Sequence, residues 1–175
     1  MAAKDSIVFP SLPTFQDELV ALLPQLRAFA RSLCGNRTLA DDLVQEAAIR
    51  AWSSRDSFVP GSSMKAWTFT ILRNAYLSKL RKERRQSASP PEAIQDWTPA
   101  DQEEGLHIAD LEQALARLAP ERRTALLLVT IGDFSYAEAA VICDCPIGTL
   151  RSRISRARRD LSEMLEQPQP GDGHP

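Results

Sequence analysis

The chain has 175 residues, of which 43% are hydrophobic and 25% are charged, and its formal net charge at pH 7 is −2. A chain of this size can bury one medium core or two small ones, so we expect up to two domains of about 70 residues each. Because no stretch approaches a membrane span and the N-terminus lacks a signal-peptide pattern, we expect a cytoplasmic protein with no membrane partner.

The first predicted element is a helix over residues 15–33. Its apolar side chains, from Leu19 to Leu33, recur at helical spacing, so one stripe is apolar and the opposite stripe is polar. Pro24 lies inside this pattern and predicts a kink. Residues 1–14 precede the helix and are interpreted as an N-terminal extension.

Two further helices complete a predicted first domain. Thr38 followed by Asp41 matches a capping box, which predicts a helix that runs to about Trp52. A loop rich in Pro, Gly and Ser follows, and a third helix is predicted over residues 64–85. These elements predict a three-helix domain over residues 15–86.

The composition then changes and predicts a linker followed by a second domain. Residues 87–105 are rich in Pro, Ser, Ala and acids, which is typical of a flexible linker. Helical periodicity resumes and predicts a second domain over residues 106–166, in which Pro120 opens one helix and Gly132 ends it. Residues 167–175 are interpreted as a disordered tail.

The last two predicted helices have the layout of a helix-turn-helix. Ser135 and Glu138 match a capping box that opens a short helix, and Pro146 begins a longer one. On a helical wheel, one face of the longer helix is apolar and the other carries Arg and Ser. No segment has the periodicity of a strand, so the predicted fold is all-α, with two small helical domains joined by the linker.

The polar face of the longer helix carries residue types that recognise duplex DNA in the major groove. Arg can bond two acceptors of guanine, Ser can bond bases or phosphates, and further Arg residues neutralise the backbone. A solvated basic helix is the alternative, and the capped helix and tight turn before it favour DNA binding. The predicted contacts are Thr149, Arg151, Ser152, Ser155, Arg156 and Arg159.

A second basic block, over residues 79–85, ends the third helix, which also carries Trp67 and Asn74. Aromatic side chains beside cations suit unpaired nucleic acid, whose bases stack while its phosphates are held electrostatically. Alternatively, Trp67 packs in the core, as large aromatics at helical spacing usually do. The sequence leaves both interpretations of Trp67 open.

No catalytic pattern is visible, so we do not expect an enzyme. The chain lacks a Gly-rich phosphate loop and a nucleophile paired with His, and Asp41 and Asp42 have no metal-site companions at useful spacing. Of Cys34, Cys143 and Cys145, only the last two are close in sequence, and neither His follows a ligand pattern. We therefore expect packing cysteines, no metal and no other cofactor.

Two stretches in the N-terminal half, ADDLVQEAAIRAW (residues 40–52) and FVPGSSMKAWTFTILRNAYLSKLRKERR (residues 58–85), resemble region 2 of extracytoplasmic-function (ECF) sigma factors. A third, SYAEAAVICDCPIGTLRSRISRARRDL (residues 135–161), resembles their region 4. These motifs occur in the family's order across a linker, and the resemblance extends over residues 15–166. The segment MKAWTFTILRN (residues 64–74) further resembles the EcfG subgroup of general-stress-response factors.

The resemblance implies an alternative sigma factor that binds core RNA polymerase and directs it to promoter DNA. It implies that region 2 docks on the clamp helices of the β′ subunit, and it also implies a contact between the chain and the β flap. The residues implied for polymerase binding are Asp41, Asp42, Gln45 and Glu46. An ordinary solvated helix face would carry the same residue types.

The resemblance also divides promoter recognition between the two regions. An unstacked base of the −10 element would be captured by region 2, through Phe58, Ser62, Lys65, Trp67, Asn74 and Arg81. The −35 element would be read as duplex DNA by Arg151, Ser152 and Arg156, with Thr149, Ser155 and Arg159 beside them. The division is physically reasonable, because a duplex is readable in its groove whereas a melted strand is read from flipped bases.

Regulation by an anti-sigma factor is also implied, of the NepR type if the subgroup holds, with a phosphorylated regulator competing for it. Two other functions remain open. A sigma mimic would occupy the anti-sigma factor without initiating transcription. An ordinary helix-turn-helix regulator would bind duplex DNA alone, although no helix is left over for the dimer that such proteins usually form.

Overall fold

The computed structural model describes residues 14–86 and 104–166, with no side-chain detail for residues 104–108. Over these residues the chain is all-α, as predicted, and contains no strand. The N-terminal unit comprises α1 (Phe15–Cys34), α2 (Arg37–Ser53), a 3-10 turn (Arg55–Ser57) and α3 (Met64–Gln86). The C-terminal unit comprises α4 (Glu104–Arg117), α5 (Pro120–Thr130), α6 (Tyr136–Ile142) and α7 (Ile147–Glu166). The predicted tail and most of the predicted extension and linker lie outside the described residues.

Side chains fix where α1 and α2 begin. At α1, the Thr14 hydroxyl accepts a bond from the Asp17 backbone N–H at 3.2 Å, in a capping box that the sequence analysis did not identify. The predicted start of α2 at Thr38 is wrong, because the helix begins at Arg37 with Asn36 as its N-cap. Asn36 has extended backbone angles, and its Oδ1 accepts from the N–H of Leu39 at 2.8 Å, so it takes the capping role.

The turn after α5 also differs from the prediction. The helix ends at Thr130, and the residue with left-handed backbone angles is Asp133 (φ 53°), not Gly132. Gly132 is required for space, since a Cβ there would lie 2.6 Å from the Leu128 carbonyl oxygen and 2.9 Å from the Phe134 ring. The glycine therefore allows Phe134 to fold back against α5.

The buried apolar side chains of the two units form one continuous cluster. The ring centroids of Phe29 and Phe69 lie 5.1 Å apart, and those of Phe69 and Phe134 lie 4.9 Å apart. Phe29 and Phe69 belong to α1 and α3, whereas Phe134 follows α5. The described units are thus packed together, with α5 against α1 and α6 against α3. None of the described helices is long and apolar enough to cross a membrane.

Candidate nucleic-acid interface

The two faces of α7 differ as its periodicity predicted. Leu150, Ile154 and Ala157 are at most 1% exposed and pack into the core. The opposite side, named here the recognition face, consists of Thr149, Arg151, Ser152, Ser155, Arg156 and Arg159, and all six are exposed. The buried stripe holds the helix in place, so its arginines and serines are directed to solvent in one fixed arrangement.

The short helix α6 is fixed by the capping box that the sequence predicted. The Ser135 hydroxyl accepts from the Glu138 N–H at 3.2 Å, and the Glu138 carboxylate accepts from the Ser135 N–H at 2.9 Å. The Ser135 hydroxyl also donates to the Glu138 carboxylate at 2.7 Å, and this bond, together with the bond from the Ser135 N–H, lowers the pKa of Glu138 below its ordinary range. After α6, Asp144 adopts left-handed angles (φ 49°), and the N–H of Cys145 donates to the Ala140 carbonyl at 3.1 Å. Local interactions therefore set the angle between α6 and α7.

Two members of the recognition face already have intramolecular partners. The Ser152 hydroxyl donates to the Thr149 carbonyl at 2.8 Å. The Arg159 guanidinium lies 3.5 Å from Asp160 and 3.6 Å from Glu163, with its side chain 66% exposed. The Arg159–Glu163 pair is exposed on both sides and contributes little, so Arg159 can exchange this carboxylate for a phosphate at low cost. Asp160 also pairs with Arg122, which links α7 to α5.

The residues predicted for polymerase binding lie on the solvent side of α2. Asp41, Asp42 and Gln45 are exposed, and Glu46 is half-buried and pairs with Arg50 one turn later. Ile49 continues the same side and is 59% exposed. The opposite side of α2 is buried through Leu43, Val44, Ala47 and Ala51. The result is an acidic face with an apolar edge, named here the acidic face.

Trp67 and Phe58 belong to a cluster of four aromatic rings, together with Phe15 and Trp52. The ring centroids of Phe58 and Trp67 are 5.4 Å apart. The centroid of the Phe15 ring lies 5.9–6.1 Å from those of the other three rings. Trp67 is half-buried, whereas Trp52 is 45% exposed with the Arg55 guanidinium 5.2 Å from its ring centre. Trp67 therefore packs among aromatic rings and also reaches the surface, and its contact with unpaired nucleic acid stays a prediction.

The other predicted −10 residues divide between two sides of the N-terminal unit. Asn74 and Arg81 are exposed and share the face of α3 that carries Trp67, at seven-residue spacing. Ser62 lies in the exposed loop before α3 and donates to the Val59 carbonyl at 2.6 Å. Lys65 is instead directed toward the C-terminal unit, where its Nζ lies 4.6 Å from the centre of the Phe134 ring.

Sequence reasoning did not identify several residues that shape this surface. Phe15 and Trp52 complete the aromatic cluster, and Arg73 donates to the Asn74 side-chain oxygen at 3.1 Å. Of these contacts, only the one between Arg73 and Asn74 could have been expected from the sequence, because the two residues are adjacent. Phe15 lies far along the chain from Trp67, so only the fold brings these rings together.

The cysteines are packing residues, as their spacing indicated. Cys34 and Cys143 are buried, Cys145 is half-buried, and all three are free thiols. Burial raises the pKa of Cys34 to about 12 and that of Cys143 to about 11, so both remain protonated and unreactive at neutral pH. Within residues 14–86 and 104–166, no group of three or more His, Cys, Asp or Glu could hold a metal ion.

Both helical units of the chain match known proteins. Residues 19–86 match the family model of sigma-70 region 2, and residues 108–161 match that of sigma-70 region 4. An ECF RNA polymerase sigma factor, EcfG from Rhodopseudomonas palustris, is 45% identical over 158 residues, which cover 89% of this chain and 87% of that protein.

Two solved structures are also similar. The sigma factor RpoE from Bartonella quintana, crystallised with the anti-sigma factor NepR, has a TM-score of 0.75 and 42% identity. The match covers 90% of this chain and all of that one. CnrH, solved with the cytosolic domain of CnrY, has a TM-score of 0.66 and 27% identity, covering 87% of each chain.

Proposed function

Because this chain belongs to the ECF sigma factors, which are transcription factors, we propose that it binds core RNA polymerase and directs it to promoters with −35 and −10 elements. The observation that carries the proposal is the recognition face, whose six residues are all exposed on a helix with a buried opposite side. In a helix-turn-helix, such a face enters the major groove.

We assign the −35 element to the N-terminal half of the recognition face. Arg151, Ser152 and Arg156 project where a recognition helix contacts base edges. Arg159, one turn further along, is suited to a phosphate because it already occupies an exchangeable ion pair. A guanidinium at a base and another at the backbone would give α7 both specificity and register.

We assign the −10 element to the exposed side of α3 and the loop before it. Asn74 and Arg81 lie on the same face as Trp67, which places an amide, a cation and an aromatic ring along one side of a helix. This combination suits a melted strand, in which a flipped base is bonded or stacked and the phosphate is held by charge. The acidic face on α2 remains free for a different partner, which we propose to be the β′ clamp helices, with the β flap contacting the C-terminal unit.

We further propose control by a NepR-like anti-sigma factor, a general-stress regulon and a location in the bacterial cytoplasm. This proposal is supported by similarity, because a protein 42% identical to this chain was solved with NepR and a relative 45% identical to it is an EcfG. The exposed apolar side chains of Ile49 and Val141, 59% and 76% accessible, offer surface for such a partner on each unit.

A sigma mimic is the alternative function. A mimic needs only the surfaces that meet the anti-sigma factor, so it would not need an exposed Arg and Ser face on α7. The retention of that face, together with Asn74 on α3, favours an active sigma factor.

The deciding experiment is transcription in vitro with purified core polymerase on a pool of promoter fragments. We compare the wild type with Asn74→Ala and Arg156→Ala, both exposed substitutions that leave the fold intact. Each should reduce specific initiation about 5- to 150-fold, since a lost base contact costs about 1–3 kcal/mol. Arg158→Ala removes the same charge from another side of α7, about 200° around the helix from Arg156, and should retain most of the activity.

Each of the other outcomes has a definite meaning. No initiation by the wild type, alongside tight binding of an anti-sigma factor, would establish the mimic. Strong, salt-resistant binding of duplex DNA by the isolated chain would favour an ordinary regulator, because a chain with net charge −2 should bind duplex weakly without polymerase.

A further inference from the structure

The loop over residues 59–63, named here the α3 loop, packs little of its own surface. All five residues are exposed, and a Cβ at Gly61 would meet nothing within 4 Å. The Ser62 N–H and hydroxyl both donate to the Val59 carbonyl, at 3.0 and 2.6 Å, so these bonds close a turn within the loop. Gly61 has the left-handed angles (φ 85°) that such a turn requires. The attachment of the loop to the N-terminal unit therefore depends on the residue before it, the half-buried Phe58.

The Phe58 ring is held by two other rings. Its centroid lies 5.9 Å from that of Phe15, in an edge-to-face arrangement, and 5.4 Å from that of Trp67. The Phe15 and Trp67 centroids are themselves 6.1 Å apart, so the three rings form a triangle. Such pairs are favourable beyond the apolar area that they bury. Trp67 belongs to α3, the helix that the loop leads into, so Phe15 is the contact that ties the loop to a second helix.

Phe15 is the first residue of α1, and its own position is fixed from two directions. The Thr14 hydroxyl donates to the Asp17 carboxylate at 2.7 Å, and the Thr14 N–H donates to the same oxygen at 2.9 Å. The centroid of Trp52, in the last turn of α2, lies 6.1 Å from that of Phe15. The first turn of a helix frays when it is not capped, so the capping box and the rings together hold the Phe15 ring in one place.

The α3 loop lies at the start of the α3 face that carries the predicted −10 residues. Trp67, which contacts Phe58, and Asn74 share that face, about 10 Å apart along the helix axis. Ser62 and the exposed peptide groups of the loop therefore lie at one end of this face. Peptide groups outside helices and sheets can bond to the edge of an unpaired base. A loop that is already ordered binds such a base more tightly, because less entropy is lost on binding.

We propose that Phe15 is a positioning residue for recognition of the −10 element: its ring holds Phe58, and thereby the α3 loop, in the arrangement that receives an unpaired base. The role at the −10 element rests on the proposed function. Phe15 acts through Phe58 and does not itself contact the DNA. Loss of the Phe15 ring lowers the fraction of molecules whose loop has the binding arrangement. The apparent affinity for the melted strand falls by the same factor.

Amide hydrogen exchange on the full chain, without polymerase or DNA, tests whether Phe15 orders the loop. Phe15→Ala should raise the exchange rates of the reporting amides about tenfold, because the loop opens more often. Phe15→Tyr keeps the ring and should restore the wild-type rates. Thr14→Ala removes only the cap and should give a smaller increase, about threefold. The reporting amides are those whose bonds hold the loop and its two junctions, namely Phe58, Ser62 and Ala66.

Recognition of the −10 element is measured with the same variants bound to core polymerase. The probe is a fluorescent single-stranded oligonucleotide with the −10 sequence of a promoter that the wild type selects from the pool. Phe15→Ala should weaken its binding about tenfold, and Phe15→Tyr should restore it. Affinities for core polymerase and for a duplex with the −35 element should stay near those of the wild type, because the acidic face and the recognition face do not include the α3 loop.

Leu22→Ala separates positioning from a general loss of stability. Leu22 is also half-buried on α1, but it packs against the apolar core. This variant should lower the free energy of unfolding in urea and leave both loop exchange and oligonucleotide binding unchanged. Thr14→Ala keeps the test valid if Phe15→Ala fails to fold.

Each contrary result has its own meaning. Wild-type exchange at Phe58 and Ser62 in Phe15→Ala, or an equal rise in Leu22→Ala, would overturn the anchoring role of Phe15. A loosened loop with unchanged oligonucleotide binding would overturn the role in −10 recognition. Failure of the wild type to select any promoter would overturn the proposed function instead, and the exchange rates would still decide whether Phe15 anchors the loop.

Discussion

The two surfaces proposed to bind DNA differ in how far their side chains are engaged in contacts within the chain. On α7 the six residues of the recognition face are exposed, and their intramolecular partners are surface groups. On α3 the corresponding residues are engaged: Lys65 contacts Phe134, Asn74 accepts from Arg73, and Trp67 packs among aromatic rings. The face proposed to read duplex DNA is therefore built in advance on one helix, whereas the face proposed to hold a melted strand is partly covered by the rest of the chain.

The largest expected effect is a difference in stability between substitutions on the two sides of α7. Ile154→Ala removes a side chain that is 1% exposed, and we expect it to lower the free energy of unfolding by about 2–5 kcal/mol. Arg156→Ala, on the recognition face, should change that free energy by less than about 0.5 kcal/mol while it reduces promoter recognition. Urea unfolding followed by circular dichroism measures the free energy of unfolding of both variants. Equal losses of this free energy would show that the recognition face also supports the fold.

A pair of glycines tests whether the turn that places Phe134 is as constrained as the structure indicates. Gly132→Ala brings a Cβ to 2.6 Å from the Leu128 carbonyl, so we expect a loss of about 1–3 kcal/mol and a displaced Phe134 ring. Gly148→Ala on α7 meets nothing within 4 Å and should stabilise the chain by up to about 1 kcal/mol. Thermal unfolding compares the two, and a neutral Gly132→Ala would mean that the turn relaxes freely.

The smallest effect concerns pH and the two capping boxes, one in each unit. The pKa of Glu138 is lowered in the folded state by bonds from Ser135, so its contribution is present above its ordinary value of 4.5 and is lost as pH falls through the folded value. Glu138→Gln should therefore be less stable than the wild type near neutral pH, and the difference should vanish in acid. In a Ser135→Ala background, which removes the hydroxyl bond and keeps the bond from the backbone N–H, the effect of the substitution should be smaller. Asp17→Asn in α1 should behave alike, because the pKa of Asp17 is lowered by Thr14 in the same way.

Features whose physics is local were predicted well. The apolar stripe of α7 and the Ser135 capping box depend on residues three or four apart, so both are visible in the sequence. The predictions of helix ends were wrong where two nearby residues could fill the same structural role. Asn36 and Thr38 both suit an N-cap, and Asp133 takes the left-handed angles that Gly132 could also have adopted. In the structure Asn36 makes the capping bond to the Leu39 N–H, and Gly132 is needed instead for space beside the Leu128 carbonyl and the Phe134 ring.

The sequence by itself determined the all-α fold, the family and the recognition face, because helical periodicity and short motifs are properties of neighbouring residues. Only the tertiary structure brought Arg73 to a carbonyl 70 residues away and Arg123 to one 90 residues away, since neither pair leaves a local pattern. The same holds for Phe134, an ordinary turn residue in the sequence that joins the core shared by the two units once Gly132 lets it fold back.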